Sequence, residues 1–95
     1  MSEEGFQQRG YRVIGRVQGV FFRAWTQEMA EELGVVGTVR NRADGSVEVH
    51  VAGTAEELES FERRLWEGSP SARVERVEVF ESEAGLPKGQ FQILY

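Results

Sequence analysis

After a polar opening, Tyr11, Val13, Gly15 and Val17 alternate with Arg12, Ile14 and Arg16. A period of two places the first set on one face and predicts a strand. The period then lengthens. Phe22, Trp25, Met29 and Leu33 recur at helical spacing, with Ala30 beside them. Gln27, Glu28, Glu31 and Glu32 face the other way, so an amphipathic helix is predicted, with Gly34 as its stop. "VVGTVRN", Val35 to Asn41, reads as a second strand. "RADG" is a turn signalled by Asp44-Gly45. "SVEVHVAG" is a third strand, with Val47, Val49 and Val51 inward and Glu48 and His50 outward.

The second half repeats the theme. Thr54-Ala55-Glu56-Glu57 is a capping box, with Thr at the N-cap and Glu three residues on. Leu58, Phe61 and Leu65 form the buried stripe of a second helix, with Trp66 at its margin and Gly68 and Pro70 as its stop. "ARVERVEVFES" is a fourth strand. The imperfect alternation of Val74, Val77 and Val79 predicts a bulge or a twisted edge. "GLPKG" is a loop and "FQILY" a short last strand. Residues 1–8 are expected to be a flexible N-terminal tail and residues 9–95 a single domain. The order β-α-β-β-α-β plus a short strand predicts an α+β, ferredoxin-like sandwich. Two helices then pack on one face of a mostly antiparallel sheet of four to five strands, with the first and third strands central.

One junction breaks the local rules. Between Val17 and Phe22 lies Gln18-Gly19-Val20-Phe21, with no Ser, Thr, Asp or Asn to cap the helix that follows. Its first turn carries Arg23, a cation at the positive end of the helix dipole. An anion resolves both violations. Free N–H groups at a helix start bind negative charge, and Gly19 allows a tight turn and close approach. Arg23 adds a planar fork suited to phosphate. The other reading is a plain connector, with Arg23 solvated and water on the donors. The apolar run Val20-Phe21-Phe22 favours a packed, rigid turn. Asn41, at the end of the second strand, falls near this junction in the split βαβ arrangement. It either assists the turn or holds a water through its amide.

Composition narrows the field. The chain has 95 residues, 40% hydrophobic, which suits one domain with a real core. Its formal net charge is −5, which argues against nucleic acid or an anionic membrane as partner. There is no cysteine and a single histidine, His50, directed towards solvent by alternation. A metal site or a Ser–His–Asp device is therefore not expected. No secretory signal or membrane span is legible, so a cytoplasmic location is expected.

"GRVQGVFFR", Gly15 to Arg23, and "GTVRNRADGSV", Gly37 to Val47, resemble the two signatures of the acylphosphatases. The resemblance spans about residues 9 to 95. It implies hydrolysis of a carboxyl phosphate to carboxylate and inorganic phosphate, without cofactor or metal. By position, Arg23 resembles the phosphate-binding arginine and Asn41 the asparagine that orients the attacking water. Gln18, Gly19, Val20, Phe21, Phe22 and Arg23 resemble the phosphate-binding cradle. The implied partners are a small-molecule acyl phosphate and inorganic phosphate, with no nucleic acid or membrane, and the protein a monomer. The chain departs from the family at Thr38, where an aromatic is frequent, and at Ser69, where proline is common. Two rivals stay open. One is an RNA-binding domain, which needs aromatics on the open sheet face. The other is a non-catalytic anion sensor or a domain of a larger carbamoyl-transferring protein. Ninety-five residues from an initial Met lead one to expect a free-standing enzyme.

Overall fold

The computed structural model describes residues 6–95. In chain order the elements are β1 (Phe6–Arg16), α1 (Phe22–Leu33), β2 (Val36–Asn41), β3 (Val47–Thr54), α2 (Ala55–Glu67), β4 (Arg73–Glu81) and β5 (Phe91–Leu94). The five strands form one sheet in the order β4-β1-β3-β2-β5. β1 and β3 are central, as the sequence predicts. All neighbours are antiparallel except β2 and β5, which run parallel.

The valine alternation becomes a core. Tyr11 and Val13 of β1 stand opposite Val49 and Val47 of β3, and all four are fully buried. The helices close over them with Met29 and Ala30 from α1 and Leu58, Phe61 and Leu65 from α2. The stripe of α1 is rotated slightly from the expected one. Trp25 and Leu33 are only partly buried, whereas Thr26 is fully so. Thr26 is accommodated because its hydroxyl donates to the Phe22 carbonyl at 2.8 Å, so its own polar group is paired.

The irregularity expected in the fourth strand is present. Ile14 pairs with Arg76 but Gly15 with Val74, so Glu75 is the extra residue of a bulge on an edge strand. The bulge presses Arg73 against β1. A Cβ on Gly15 would lie 2.2 Å from the Arg73 carbonyl oxygen, so this first position of the turn motif accepts glycine only.

The expected tail boundary at residue 8 needs correction. Phe6, Gln7 and Gln8 pair with Thr54, Gly53 and Ala52 and extend β1. Gln8 also donates to Ser82 Oγ and to the Ala84 carbonyl. The polar side chains of Gln7 and Gln8 hid a strand whose ladder bonds are indifferent to side-chain type. The rest of the expected tail, residues 1–5, lies outside the described residues. Among the described residues, no helix is long and apolar enough to cross a membrane.

Candidate active site

The β1–α1 junction turns through two left-handed residues, Gly19 at φ 75° and Phe21 at φ 59°. Phe21 is the N-cap of α1, and no side chain caps it. The first helical bond runs from Trp25 N–H to the Phe21 carbonyl at 3.0 Å. Among the described residues, the N–H groups of residues 19–24 find no acceptor. The first turn contains no acidic residue. α2 is the contrast within the same molecule. Its Thr54 accepts from Glu57 N–H, and Glu57 accepts from Thr54 N–H. Donors are thus satisfied internally at one helix start and left free at the other.

Five of the six residues 19–24 line a cleft of about 370 Å³, whose wall comprises Val17, Gly19, Phe21, Phe22, Arg23, Ala24, Asn41, Ile93 and Tyr95. The structure therefore brings Gly19, Phe21, Phe22, Arg23 and Asn41 to one place. Two residues of the expected cradle stand outside this lining. The Gln18 side chain turns towards the β2–β3 loop and donates to the carbonyls of Arg42 and Ser46, each at 2.8 Å. It fastens the junction to the residues that follow Asn41. Val20 packs against the core instead. The apolar run is split as well: Phe22 is buried, but Phe21 is 87% exposed, contrary to a uniformly packed turn.

Sequence reasoning missed the other walls. Val17 and Ala24 flank the motif. Ile93 and Tyr95 come from the far end of the chain, because β5 lies parallel to β2 with Leu94 beside Arg40. Tyr95 follows Leu94 directly and shares the cleft lining with Asn41. Only the strand order reveals this, and local periodicity does not carry it.

Among the described residues, Arg23 is the one charged side chain on the cleft wall. Its Nη1 donates to the Leu94 carbonyl at 3.0 Å, and its guanidinium carbon lies 4.7 Å from the centre of the Tyr95 ring. Among the described residues it forms no ion pair. Asn41 Oδ1 is buried and has no hydrogen-bond partner among the described residues. A buried carbonyl oxygen left unpaired is costly, so its position against the cleft points to an external donor.

The acidic and basic residues of the open sheet face keep to themselves. Glu48 is paired with Arg40 at 3.3 Å and with Arg42. Its burial pushes the carboxyl up. Hydrogen bonds from His50 and Arg42 and the charge of Arg40 outweigh that and hold it at about 2. His50 faces away from the valine core as expected, but it is not bathed in solvent. Its ring nitrogens contact Glu48 and Ser82, and Phe80 meets it edge-on. Alternation gives the face and not what the end of β4 lays over it. None of these groups lines the cleft. Among the described residues, no cluster of three or more His, Asp or Glu is placed to hold a metal ion. Thr38 is buried away from the cleft, and Ser69 is buried with its hydroxyl unpaired, so neither departure from the family pattern reaches Arg23 or Asn41.

Comparison with known proteins addresses the family and the fold. A family model described as acylphosphatase matches residues 9–93. An acylphosphatase of Rhizorhabdus wittichii is 49% identical over 81 residues, covering 85% of this chain and 82% of that one. Among solved structures, an acylphosphatase from Coxiella burnetii superposes with a TM-score of 0.88 at 34% identity, covering 97% of this chain and 96% of that one. The acylphosphatase from Bacillus subtilis gives 0.83 at 39% identity, covering 93% and 98%.

Proposed function

The chain belongs to the acylphosphatase family, and on that premise we propose that the β1–α1 junction binds the phosphoryl group while Asn41 directs water to it. As a family member it hydrolyses acyl phosphates, yielding a carboxylate and inorganic phosphate. The observation that carries the assignment of roles is the set of free N–H groups on Gly19 and residues 21–24, which line one cleft with the Arg23 side chain and Asn41, whose oxygen is unpaired.

The amides and Arg23 hold the non-bridging oxygens and stabilise their charge as bonding changes. Gln18 and Val20 act from behind this surface, one tying the turn to the β2–β3 loop and the other seating it on the core. The Asn41 amide accepts a hydrogen bond from water and sets it in line behind phosphorus. Water oxygen then bonds to phosphorus as the phosphorus–acyl oxygen bond breaks, and the carboxylate leaves with the bonding pair. A carboxylate needs no proton to leave near neutrality, since carboxylic acids have pKa values of about 4. The water proton passes to a phosphoryl oxygen. This explains a cleft wall without His, Asp or Glu.

The reading calls for no metal, so turnover in excess EDTA is expected to equal turnover without it. The protein acts as a cytoplasmic monomer on small molecules, a reading that the net charge of −5 supports against polyanionic partners. Hydrolysis of benzoyl phosphate, followed by loss of its ultraviolet absorbance, tests the site. Inorganic phosphate is expected to inhibit competitively. Non-competitive inhibition, or none, would remove the cradle from the mechanism.

A further inference from the structure

We propose that the exposed rings of Phe21 and Tyr95 grip the acyl part of the substrate and favour acyl phosphates whose carboxyl carbon bears an aromatic or other planar group. The proposal rests on the phosphate-site reading above, because the acyl group is placed by where phosphorus sits.

A phosphoryl group alone does not fill the cleft. Its volume of about 370 Å³ is an order of magnitude above the ~30 Å³ share of one water molecule. The wall is mostly apolar and includes Phe21, Ile93 and Tyr95. Such a wall with a few convergent polar groups fits an organic substituent attached to an anion.

Phe21 is hard to explain by stability. The residue is 87% exposed, so it gains little from burial. It also occupies the left-handed region at φ 59°, where a bulky residue is strained and glycine or asparagine is at ease. Its neighbour Phe22 supplies the core contact, being 1% exposed. A strained, exposed ring on the wall of a catalytic cleft is accounted for by what it touches during turnover.

Tyr95 is fully exposed apart from its ring lying over the Arg23 guanidinium. One face of the ring is turned to that cation and the other is open to a second planar group. Aromatic groups gain from such offset or edge contacts beyond the area they bury. A methyl group has no comparable surface to offer.

The test measures kcat/KM for benzoyl phosphate and acetyl phosphate in the wild type, Phe21→Ala, Tyr95→Ala and the double variant. Comparing ratios between variants cancels the intrinsic reactivity of each substrate. The benzoyl-to-acetyl ratio is expected to fall about three- to tenfold in each single variant and further in the double, the scale of an aromatic contact. A ratio that stays constant or rises, whatever happens to the absolute rates, overturns the proposal. Phe21→Leu, which keeps apolar bulk and loses the ring, gives the same reading if Phe21→Ala does not fold. Phosphate inhibition of the wild type is measured alongside. Its absence would refute the phosphate site itself, whereas normal inhibition with an unchanged ratio would refute only the aromatic grip.

Discussion

The Leu94 carbonyl accepts a hydrogen bond from Arg23 Nη1 at 3.0 Å. One helical turn further on, Gln27 donates to the Phe91 carbonyl at 2.9 Å. Two side chains of α1 thus strap the helix to β5, and the arginine of the cleft is held by residues from the far end of the sequence. A guanidinium has five N–H groups in a fixed plane. The bond to Leu94 fixes that plane and leaves a fork for an anion.

This arrangement makes charge alone insufficient. Arg23→Lys keeps a cation but cannot bond Leu94 and present a two-pronged donor together. It is expected to lose at least about tenfold in kcat/KM. Arg23→Ala is expected to lose about 10³-fold or more, the scale seen when an arginine leaves a phosphoryl-transfer site. Thermal melts provide a second measurement. Phosphate at 100 times its Kd stabilises a native state by about 2.7 kcal/mol. That raises Tm by some 10 °C or more in a domain of this size. The shift is expected in the wild type and not in Arg23→Ala. Equal shifts in both proteins would place the anion elsewhere.

Asn41 has a different signature. If its amide positions water and does not hold phosphate, Asn41→Ala costs mainly kcat. A fall of about 10²-fold is expected, comparable with a misplaced reactant. The phosphate inhibition constant is expected to change by less than about threefold, which is about 0.6 kcal/mol. Steady-state kinetics with phosphate as inhibitor separates the two quantities. Parallel losses in both would make Asn41 a phosphate ligand.

Much of this was legible in the sequence because its signals are local. The Thr54–Glu57 box encodes its own helix start, and the valines of β3 encode their own face. The junction at Gln18 was legible through violation, since a missing cap and a misplaced cation stand next to each other. What could not be read depends on distant chain. Tyr95 reaches Arg23 only because β5 adds in parallel beside β2, and no period in "FQILY" states that. Gln18 has the polarity of an anion ligand, yet it bonds the β2–β3 loop, a preference visible only once that loop is in place. His50 shows the same limit, because alternation is silent about Ser82 and Phe80 closing over it.

Glu48 links stability to acid pH. Its carboxyl is held down from the ordinary 4.5 to about 2 in the folded protein. Above the unfolded value both states are ionised and the full stabilisation is present. As pH falls from about 4.5 towards 2, the unfolded chain takes up the proton first and the contribution is lost. The full depression corresponds to about 3 kcal/mol. Denaturant midpoints measured across this window are expected to fall less steeply in Glu48→Gln than in the wild type. Identical slopes would mean that Arg40, Arg42 and His50 do not stabilise the carboxylate in solution.

The uncapped helix is also open to repair at the expense of its chemistry. Asp at position 21 tolerates the left-handed backbone that strains Phe21, and relief of such strain is worth about 1–3 kcal/mol. Its charge at the start of α1 adds about 0.3–1 kcal/mol through the helix dipole. Phe21→Asp is therefore expected to melt higher than the wild type in phosphate-free buffer. The same carboxylate stands at the edge of the cleft that receives the phosphoryl group, so like-charge repulsion is expected to weaken phosphate by more than tenfold. Phe21→Asn separates the two effects. It relieves the strain without the charge, and is expected to gain stability while keeping most of the phosphate affinity. If Phe21→Asp binds phosphate as tightly as the wild type, the anion does not sit at this helix start. If neither variant gains stability, the absent cap is not a sacrifice that the fold makes for catalysis.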